Sequence, residues 1–130
     1  MINQVILVGR LVQDPIIKEV AGGKNICEVK LALGRPFKNS QNQYDTDFIK
    51  VVFWEYLAIN VNEFCKKGSI IGVRARLQSR SAKINEATFE LIDVVGESIV
   101  FIGKPTKKVD TKIETNDLDI PITELSDAPL

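Results

Sequence analysis

Apolar and polar residues alternate with a period of two along much of this chain, and that alternation constrains its fold more than any other feature. The stretch DFIKVVFWEY, residues 47 to 56, is the clearest case. Because neighbouring side chains of a strand point to opposite faces, one face carries Ile49, Val51 and Phe53, which suffice for a core. The other face holds aromatic residues and a cation that a core does not need: Phe48, Lys50, Val52, Trp54 and Tyr56.

Two earlier segments also predict strands. QVILVGRLVQDP is an apolar, β-branched run that stops at Asp14-Pro15. Further on, IIKEVAGGKNICEVKLALGR contains two extended runs around Gly22-Gly23, which predicts a hairpin. The second run is half buried, and its inward residues are Cys27, Val29, Leu31 and Leu33. PFKNSQNQY, which follows, is polar and begins with proline, so it predicts a long mobile loop.

The period changes directly after Tyr56. In YLAINVNEFCKKG the apolar residues recur at helical spacing, at Leu57, Val61, Phe64 and Cys65. Two lysines, Lys66 and Lys67, fall in the predicted last turn, where cations interact favourably with the helix dipole. Gly68 then follows as a typical C-terminal stop. The segment therefore predicts one short helix.

Alternation returns after the helix in SIIGVRARLQSR. The predicted inward residues are Ile71, Val73, Ala75 and Leu77. The outward residues form a row rich in arginine, made of Gly72, Arg74, Arg76, Gln78 and Arg80. SAKINEA is polar and predicts a connection, after which TFELIDVVGESIVFIG supplies the closing strands. The core candidates in the closing strands are Phe89, Leu91, Ile99 and Phe101.

The order of these elements indicates the fold class. Strands come first, one helix follows the strand that ends near Tyr56, and two or more strands close the domain. That order matches an all-β fold with one short helix, the five-stranded Greek-key barrel of the OB type, whose face and loops bind oligonucleotides. We therefore predict a barrel domain over residues 1–104.

Charge divides the chain into two parts. The formal net charge is zero, yet residues 1–108 hold 16 lysines and arginines against 11 acids, whereas residues 109–130 hold one lysine against six acids. A block of like charge at a terminus is typical of a solvated interaction tail. We therefore predict that residues 105–130 form a flexible, disordered acidic tail beside a basic body.

Catalysis and metal binding find little support in the sequence. The chain has no histidine, the commonest general base and metal ligand, and none of the usual catalytic or phosphate-loop motifs. We predict no enzyme activity, no cofactor and no metal. Without a secretory signal or an apolar span, we expect a cytoplasmic protein with no membrane partner, in which Cys27 and Cys65 are reduced and buried.

Aromatic residues next to cations are what a sequence-tolerant binder of single-stranded nucleic acid needs, because bases stack on the rings and cations neutralise phosphates. The candidate stacking residues are Phe37, Phe48, Trp54 and Tyr56. The candidate phosphate contacts are Arg10, Arg35, Lys38, Lys50, Arg74, Arg76, Arg80 and Lys83. So many cations predict a steep salt dependence. The alternative is that the aromatics pack against a second layer or subunit and the arginines are only a solvated face.

Three segments, in order and with their spacing, carry a family resemblance: MINQVILVGRLVQDP, DFIKVVFWEYLAINVNEFCKKGS and GVRARLQSR. With them, residues 1 to 103 resemble the bacterial and phage single-stranded DNA-binding proteins. The resemblance implies an OB fold, a homotetramer, and binding of single-stranded DNA during replication, recombination and repair. It places the family's stacking aromatics on Phe37, Phe48 and Trp54, and it leaves Ala82 where a further aromatic is expected, which predicts weaker binding or altered wrapping.

The same resemblance assigns a role to the tail. Family members end in an acidic run with a terminal Ile-Pro-Phe that docks on partner proteins of replication, recombination and repair. NDLDIPITELSDAPL repeats this theme twice in altered form. The candidate partner-binding residues are Asp117, Asp119, Ile120, Pro121 and Ile122, and then Asp127, Pro129 and Leu130. A merely solubilising tail is the alternative.

Other functions stay open beside DNA binding. One is an adaptor or decoy that works mainly through its tail, and deletion of residues 113–130 separates the two, since a DNA-binding protein keeps or gains affinity and an adaptor loses its principal activity. Another is an OB-fold nuclease, although the acids of residues 1–108 show no paired motif for metal ions. RNA is a further possible ligand, because stacking platforms accept any base.

Overall fold

Six strands and one α-helix make up most of residues 1–103, the part of the chain that the structure, a computed structural model, describes. The strands are β1 (Val5–Leu11), β2 (Ile16–Val20), β3 (Lys24–Lys38), β4 (Tyr44–Trp54), β5 (Ile70–Ile84) and β6 (Ala87–Gly103), and the helix is α1 (Glu55–Phe64). The predicted tail, with all its candidate partner-binding residues, lies outside the described residues. In the part described, no helix has the length and apolar character that a membrane span requires.

The strands close into a barrel. Along the sheet the order is β1-β5-β6-β4-β3-β2, and β1 also pairs with β3 at Arg10↔Ala32 and Leu11↔Leu31. That pairing closes five strands on themselves and leaves β2 as an addition to the outer edge of β3. β4 and β6 run parallel, whereas the other pairs are antiparallel. The predicted five-stranded barrel with one short helix is confirmed.

The inward residues of the alternating strands fill the barrel. Phe53, Leu31 and Ile71 are fully buried, and Ala58 and Val61 of α1 close one end. Cys27 and Cys65 are buried as predicted, and both thiols are free. Burial is the main cause that raises the pKa of each thiol to about 11, so at neutral pH both stay protonated and inert.

Gly96 is part of this core because it has no side chain. A Cβ at Gly96 would overlap the ring of Phe53, which lies on the neighbouring strand β4 and fills the barrel interior. Gly9 of β1 is similarly close to β3, since a Cβ there would lie 2.8 Å from the carbonyl oxygen of Ala32. Gly72, by contrast, faces outward, where a Cβ would meet Ile102 and Val8 at ordinary contact distances.

The long mobile loop predicted for PFKNSQNQY is wrong. β3 continues to Lys38 and β4 begins at Tyr44, so only residues 39–43 connect them. The Asn39 side-chain oxygen accepts hydrogen bonds from the backbone N–H groups of Gln41 and Gln43, at 2.8 and 3.0 Å. Pairing between β3 and β4 therefore keeps part of this polar segment extended. The amino-acid composition of the segment does not reveal that pairing.

The segment SAKINEA, predicted to be a connection, also belongs mostly to strands. β5 runs to Ile84 and β6 starts at Ala87, so the turn is only Asn85 and Glu86, both with positive φ. The two strands form an arm that extends beyond the barrel, defined here as residues 78–93. Both faces of the arm reach solvent, so Phe89, a predicted core residue, is exposed, and the predicted core residue Leu77 at the base of the arm is exposed too.

Predictions near the helix also need correction. α1 ends at Phe64, so Lys66 and Lys67 lie beyond its last turn, which has no basic residue. Phe64 is exposed and packs edge-on against Phe101, 5.8 Å between centroids, at the barrel rim; neither ring is in the core. Tyr56 belongs to α1 rather than to the preceding strand, so strand alternation does not place it beside Trp54.

Candidate nucleic-acid interface

The aromatic strand and the arginine strand share one outer surface. β4 pairs with β6 at Val52↔Val95, and β6 pairs with β5 at Val95↔Arg76. Since directly paired residues point to the same face of a sheet, the face of β4 with Phe48, Lys50 and Trp54 continues into the face of β5 with Arg76. The two faces are continuous because the closed barrel places β6 between β4 and β5.

The predicted stacking aromatics are accessible. Phe37, Phe48 and Trp54 are all exposed, Phe37 near the end of β3 and the other two on β4. A surface cleft beside Trp54 has Lys24, Leu57, Arg76, Gln78 and Glu97 among its lining residues. Tyr56 is also exposed, but on the helix. The structure thus brings Phe48 and Trp54 together on one face and sets Tyr56 apart.

Tyr44 is an aromatic that the sequence analysis missed. It begins β4, is exposed, and has the Lys38 ammonium 5.7 Å from its ring centroid. Every second residue of a strand points to the same face, so Tyr44 lies on the same face of β4 as Phe48. Extending the period-two pattern backwards through the supposed loop would have found it.

Lys30 is a missed cation. On β3 it pairs directly with Lys50 of β4, and its ammonium lies 5.9 Å from the Phe48 ring centroid. Like charges directly opposite each other destabilise a sheet. Neither lysine has an acidic partner at ion-pairing distance within residues 1–103. The Lys30–Lys50 pair, which lies beside an exposed ring, is therefore suited to bind an anion that is attached to an apolar planar group. The sequence already contains an indication of this role: Glu28, Lys30 and Ala32 alternate with the inward residues of the half-buried strand and therefore point outward.

Arg35 is not on this surface. Its guanidinium donates to both carboxylate oxygens of Asp47, the shortest bond being 2.8 Å, and Asp45 lies 3.7 Å away. Asp47 is adjacent to Phe48 on β4, so it points to the opposite face. The hydrogen bond with Arg35 holds the pKa of the Asp47 carboxyl below its usual range, and the same bond raises the pKa of Arg35.

Two arginines of β5 are also paired with carboxylates. Arg76 Nε lies 3.2 Å from Glu97, and Arg80 Nε donates to Asp93 at 2.7 Å. Both carboxylates belong to β6. The arginine row predicted from sequence is therefore partly neutralised by acids on the neighbouring strand.

The remaining predicted cations are dispersed. Arg74 is exposed on β5 and has no ion pair within the described residues. Arg10 donates to the carbonyl of Gly68 at 3.0 Å, near the exit of α1. Lys83 pairs with Thr88 on the face of the arm opposite Arg80. Residues 1–103 contain no group of three or more His, Cys, Asp or Glu side chains placed to hold a metal ion.

A closed five-stranded barrel with its helix between the strands β4 and β5, and with exposed aromatics and cations on one face, defines an OB-fold protein. The model of the single-strand binding protein family matches residues 2–102. This chain belongs to that family.

Similar proteins agree with this membership. Single-stranded DNA-binding protein 3 of Listeria innocua is 41% identical over 103 residues, which cover 78% of this chain and 64% of that protein. Single-stranded DNA-binding protein B of Bacillus subtilis is 36% identical over 110 residues, covering 83% of this chain and 97% of that protein. The aligned region thus spans less than two thirds of the first relative and nearly all of the second.

A solved structure shares the fold. The Plasmodium falciparum SSB, solved in complex with ssDNA, superposes with a TM-score of 0.68 over 78% of this chain and 96% of that one. Its sequence identity is 21%, so the likeness concerns the fold.

Proposed function

We propose that this protein binds single-stranded DNA without sequence preference and without a catalytic step. The observation that carries the proposal is the Val52–Val95–Arg76 row, which joins the exposed rings of β4 to the cations of β5 on one surface. Bases stack on Phe48 and Trp54, and on Phe37 near the end of β3. Stacking is worth roughly 1–3 kcal/mol per base and accepts every base, so it supplies affinity without sequence readout.

The Lys30–Lys50 pair is a phosphate site beside the stacking ring of Phe48. Two ammonium groups held opposite each other repel, and a phosphate between them relieves that repulsion. Because Lys30 also lies near the Phe48 ring, one nucleotide can stack while its phosphate meets both lysines. The further phosphate contacts are Arg74 and, in competition with their carboxylates, Arg76 and Arg80.

We also propose that the protein works as a homotetramer in DNA replication, recombination and repair. Ile6 and Val8 of β1 are exposed on the outer face, where a barrel surrounded only by water would favour polar residues. Exposed apolar residues next to each other on one face of a strand are typical of an association surface. The acidic residues and the Ile120-Pro121 pair of the tail are proposed to recruit partner proteins with a basic-rimmed apolar pocket.

A fluorescence titration tests DNA binding directly. Trp54 is the single tryptophan, so its emission reports on the proposed interface. Adding oligo(dT) to the full chain is expected to quench Trp54 strongly, with affinity falling as salt rises. Unchanged emission, together with no complex in an electrophoretic mobility assay, contradicts the proposal.

The ion pairs of β5 lead to a second expected result. Glu97→Gln and Asp93→Asn remove the carboxylates that neutralise Arg76 and Arg80. Each freed arginine is expected to steepen the slope of log K against log salt concentration by about 0.7, the contribution of one phosphate contact on a single strand. Affinity is expected to rise by about 1.4- to 5-fold, since exposed ion pairs are worth roughly 0.2–1 kcal/mol.

Glu63→Gln is the matched control for those variants. It removes the same charge from an exposed position on α1. An increase in slope equal to that of Glu97→Gln would show that net charge alone is responsible. A weaker affinity in Glu97→Gln and Asp93→Asn would mean that the carboxylates orient the arginines for phosphate instead.

A further inference from the structure

Phe89 is an exposed aromatic residue that no feature of the fold explains. It lies on the arm, is 47% exposed, and pairs directly with Ala82 of β5. Side chains of a directly paired couple have Cβ atoms about 4.5–5.5 Å apart, so the larger side chain normally rests against its partner. Alanine has nothing beyond Cβ, so the Phe89 ring is left without a cross-strand cover.

The position of Phe89 on the arm connects it with the cations of β5. Arg80 pairs with Leu91, and Ala82 pairs with Phe89, so Arg80 and Phe89 belong to the same face of the arm, and this face continues along β5 to Arg76. Arg80 and Phe89 are diagonal neighbours on the paired strands β5 and β6, and such neighbours are about 7–8 Å apart. A ring and a guanidinium group are therefore spaced closely enough for one nucleotide to reach both.

The ring has no aromatic partner of its own within residues 1–103. Phe64 and Phe101 form the aromatic pair there, and the two cation–ring contacts involve Phe48 and Tyr44. The arm around Phe89 is charged and carries no core, with Arg80 held by Asp93 on the same face. An apolar planar surface beside a cation, presented to solvent, has the chemistry that recognises an unpaired nucleobase and its phosphate.

We propose that Phe89 is a further base-stacking platform of the DNA-binding surface, with Arg80 as the neighbouring phosphate contact. The assignment rests on the proposed function and extends it from the barrel onto the arm. It lengthens the path of the single strand from Trp54 past Arg76 and Arg80 to Phe89. It also requires nothing of the barrel core, because Phe89 lies outside it.

Phe89→Ala tests the proposal in the full chain against oligo(dT), with Trp54 emission as the readout. Affinity is expected to fall by roughly tenfold, within the range of one lost base stack. The salt slope is expected to stay unchanged, because no charge is removed. Ile92→Ala is the matched control, since Ile92 is 68% exposed on the same strand but pairs with Ser79 on the opposite face of the arm. Equal affinities of Phe89→Ala and the parent overturn the proposal.

A second variant reports on the ring itself. In a Trp54→Phe background, Phe89→Trp places the single tryptophan on the arm, and oligo(dT) is expected to quench its emission. Absence of quenching, in a variant that still forms the complex, overturns the proposal. Sedimentation of Phe89→Ala checks the other possible occupant, a second copy of this chain: a changed oligomer mass with unchanged affinity per site also overturns it. If the parent itself does not bind oligo(dT), the proposed function fails, and this failure is distinct from that of the Phe89 assignment.

Discussion

Replacing Phe48 by alanine is expected to weaken binding of oligo(dT) by about 5- to 150-fold. The ring is 57% exposed on β4 and faces Ala32 across the sheet, so it contributes little to the barrel and much to the outer surface. Its loss removes one stacking platform, worth roughly 1–3 kcal/mol. It also removes the ring beside which the Lys30 ammonium is held. Trp54 remains as the fluorescent reporter of the titration.

Phe64→Ala is the control for Phe48→Ala. It makes the same chemical change at a ring of similar exposure, 61%, but on α1 and away from the proposed surface. Phe64→Ala is expected to bind oligo(dT) like the parent. If the two variants lose the same affinity, or if neither loses any, Phe48 is not a specific contact. Circular dichroism of both variants verifies that the barrel is intact.

Gly96→Ala is expected to have the largest effect on stability. Gly96 is on β6, opposite Ala75, and its missing side chain is what allows the Phe53 ring to lie against the strand. An added Cβ overlaps that ring, and Phe53 is fully buried, so it cannot move aside. Overpacking of this kind costs about 1–3 kcal/mol. Each kcal/mol lowers the Tm of a domain this size by about 4–8 °C.

Thermal unfolding of Gly96→Ala and Gly34→Ala, at one protein concentration, checks this prediction. Gly34 is an exposed residue of β3, and a Cβ there would meet no atom within 4 Å. Gly34→Ala is therefore expected to unfold near the parent temperature. Phe53→Leu, which shortens the opposing side chain, is expected to reduce the additional loss caused by Gly96→Ala. Equal unfolding temperatures of Gly96→Ala and the parent would show that β6 shifts to accommodate the methyl group.

The sequence predicted the candidate site only in part. Phe48, Lys50 and Trp54 were assigned to one exposed face because alternation is a property of a single strand. Lys30 and Phe89 were missed, because their significance lies in the residues opposite them, Lys50 and Ala82. Those pairings join residues distant along the chain, and local periodicity carries no information about them.

Charge shows the same limit. The arginines of β5 were predicted as a basic row, and each does point outward. Their carboxylate partners Glu97 and Asp93 come from β6, which the sequence could place in the closing strands but not in register. We therefore expect the salt dependence of the parent protein to be shallower than a count of its cations indicates.

The sequence by itself determined which residues face inward within the barrel part of β3, β4 and β5, where the helix lies and that the fold is a small barrel, because burial of apolar side chains imposes a period on each strand. Only the tertiary structure decided how far the strands extend, which acids neutralise which arginines and why position 96 is glycine. The physical reason is that these features depend on backbone hydrogen bonds and side-chain contacts between strands. Such contacts form only when β1 closes on β3 and β4 pairs with β6.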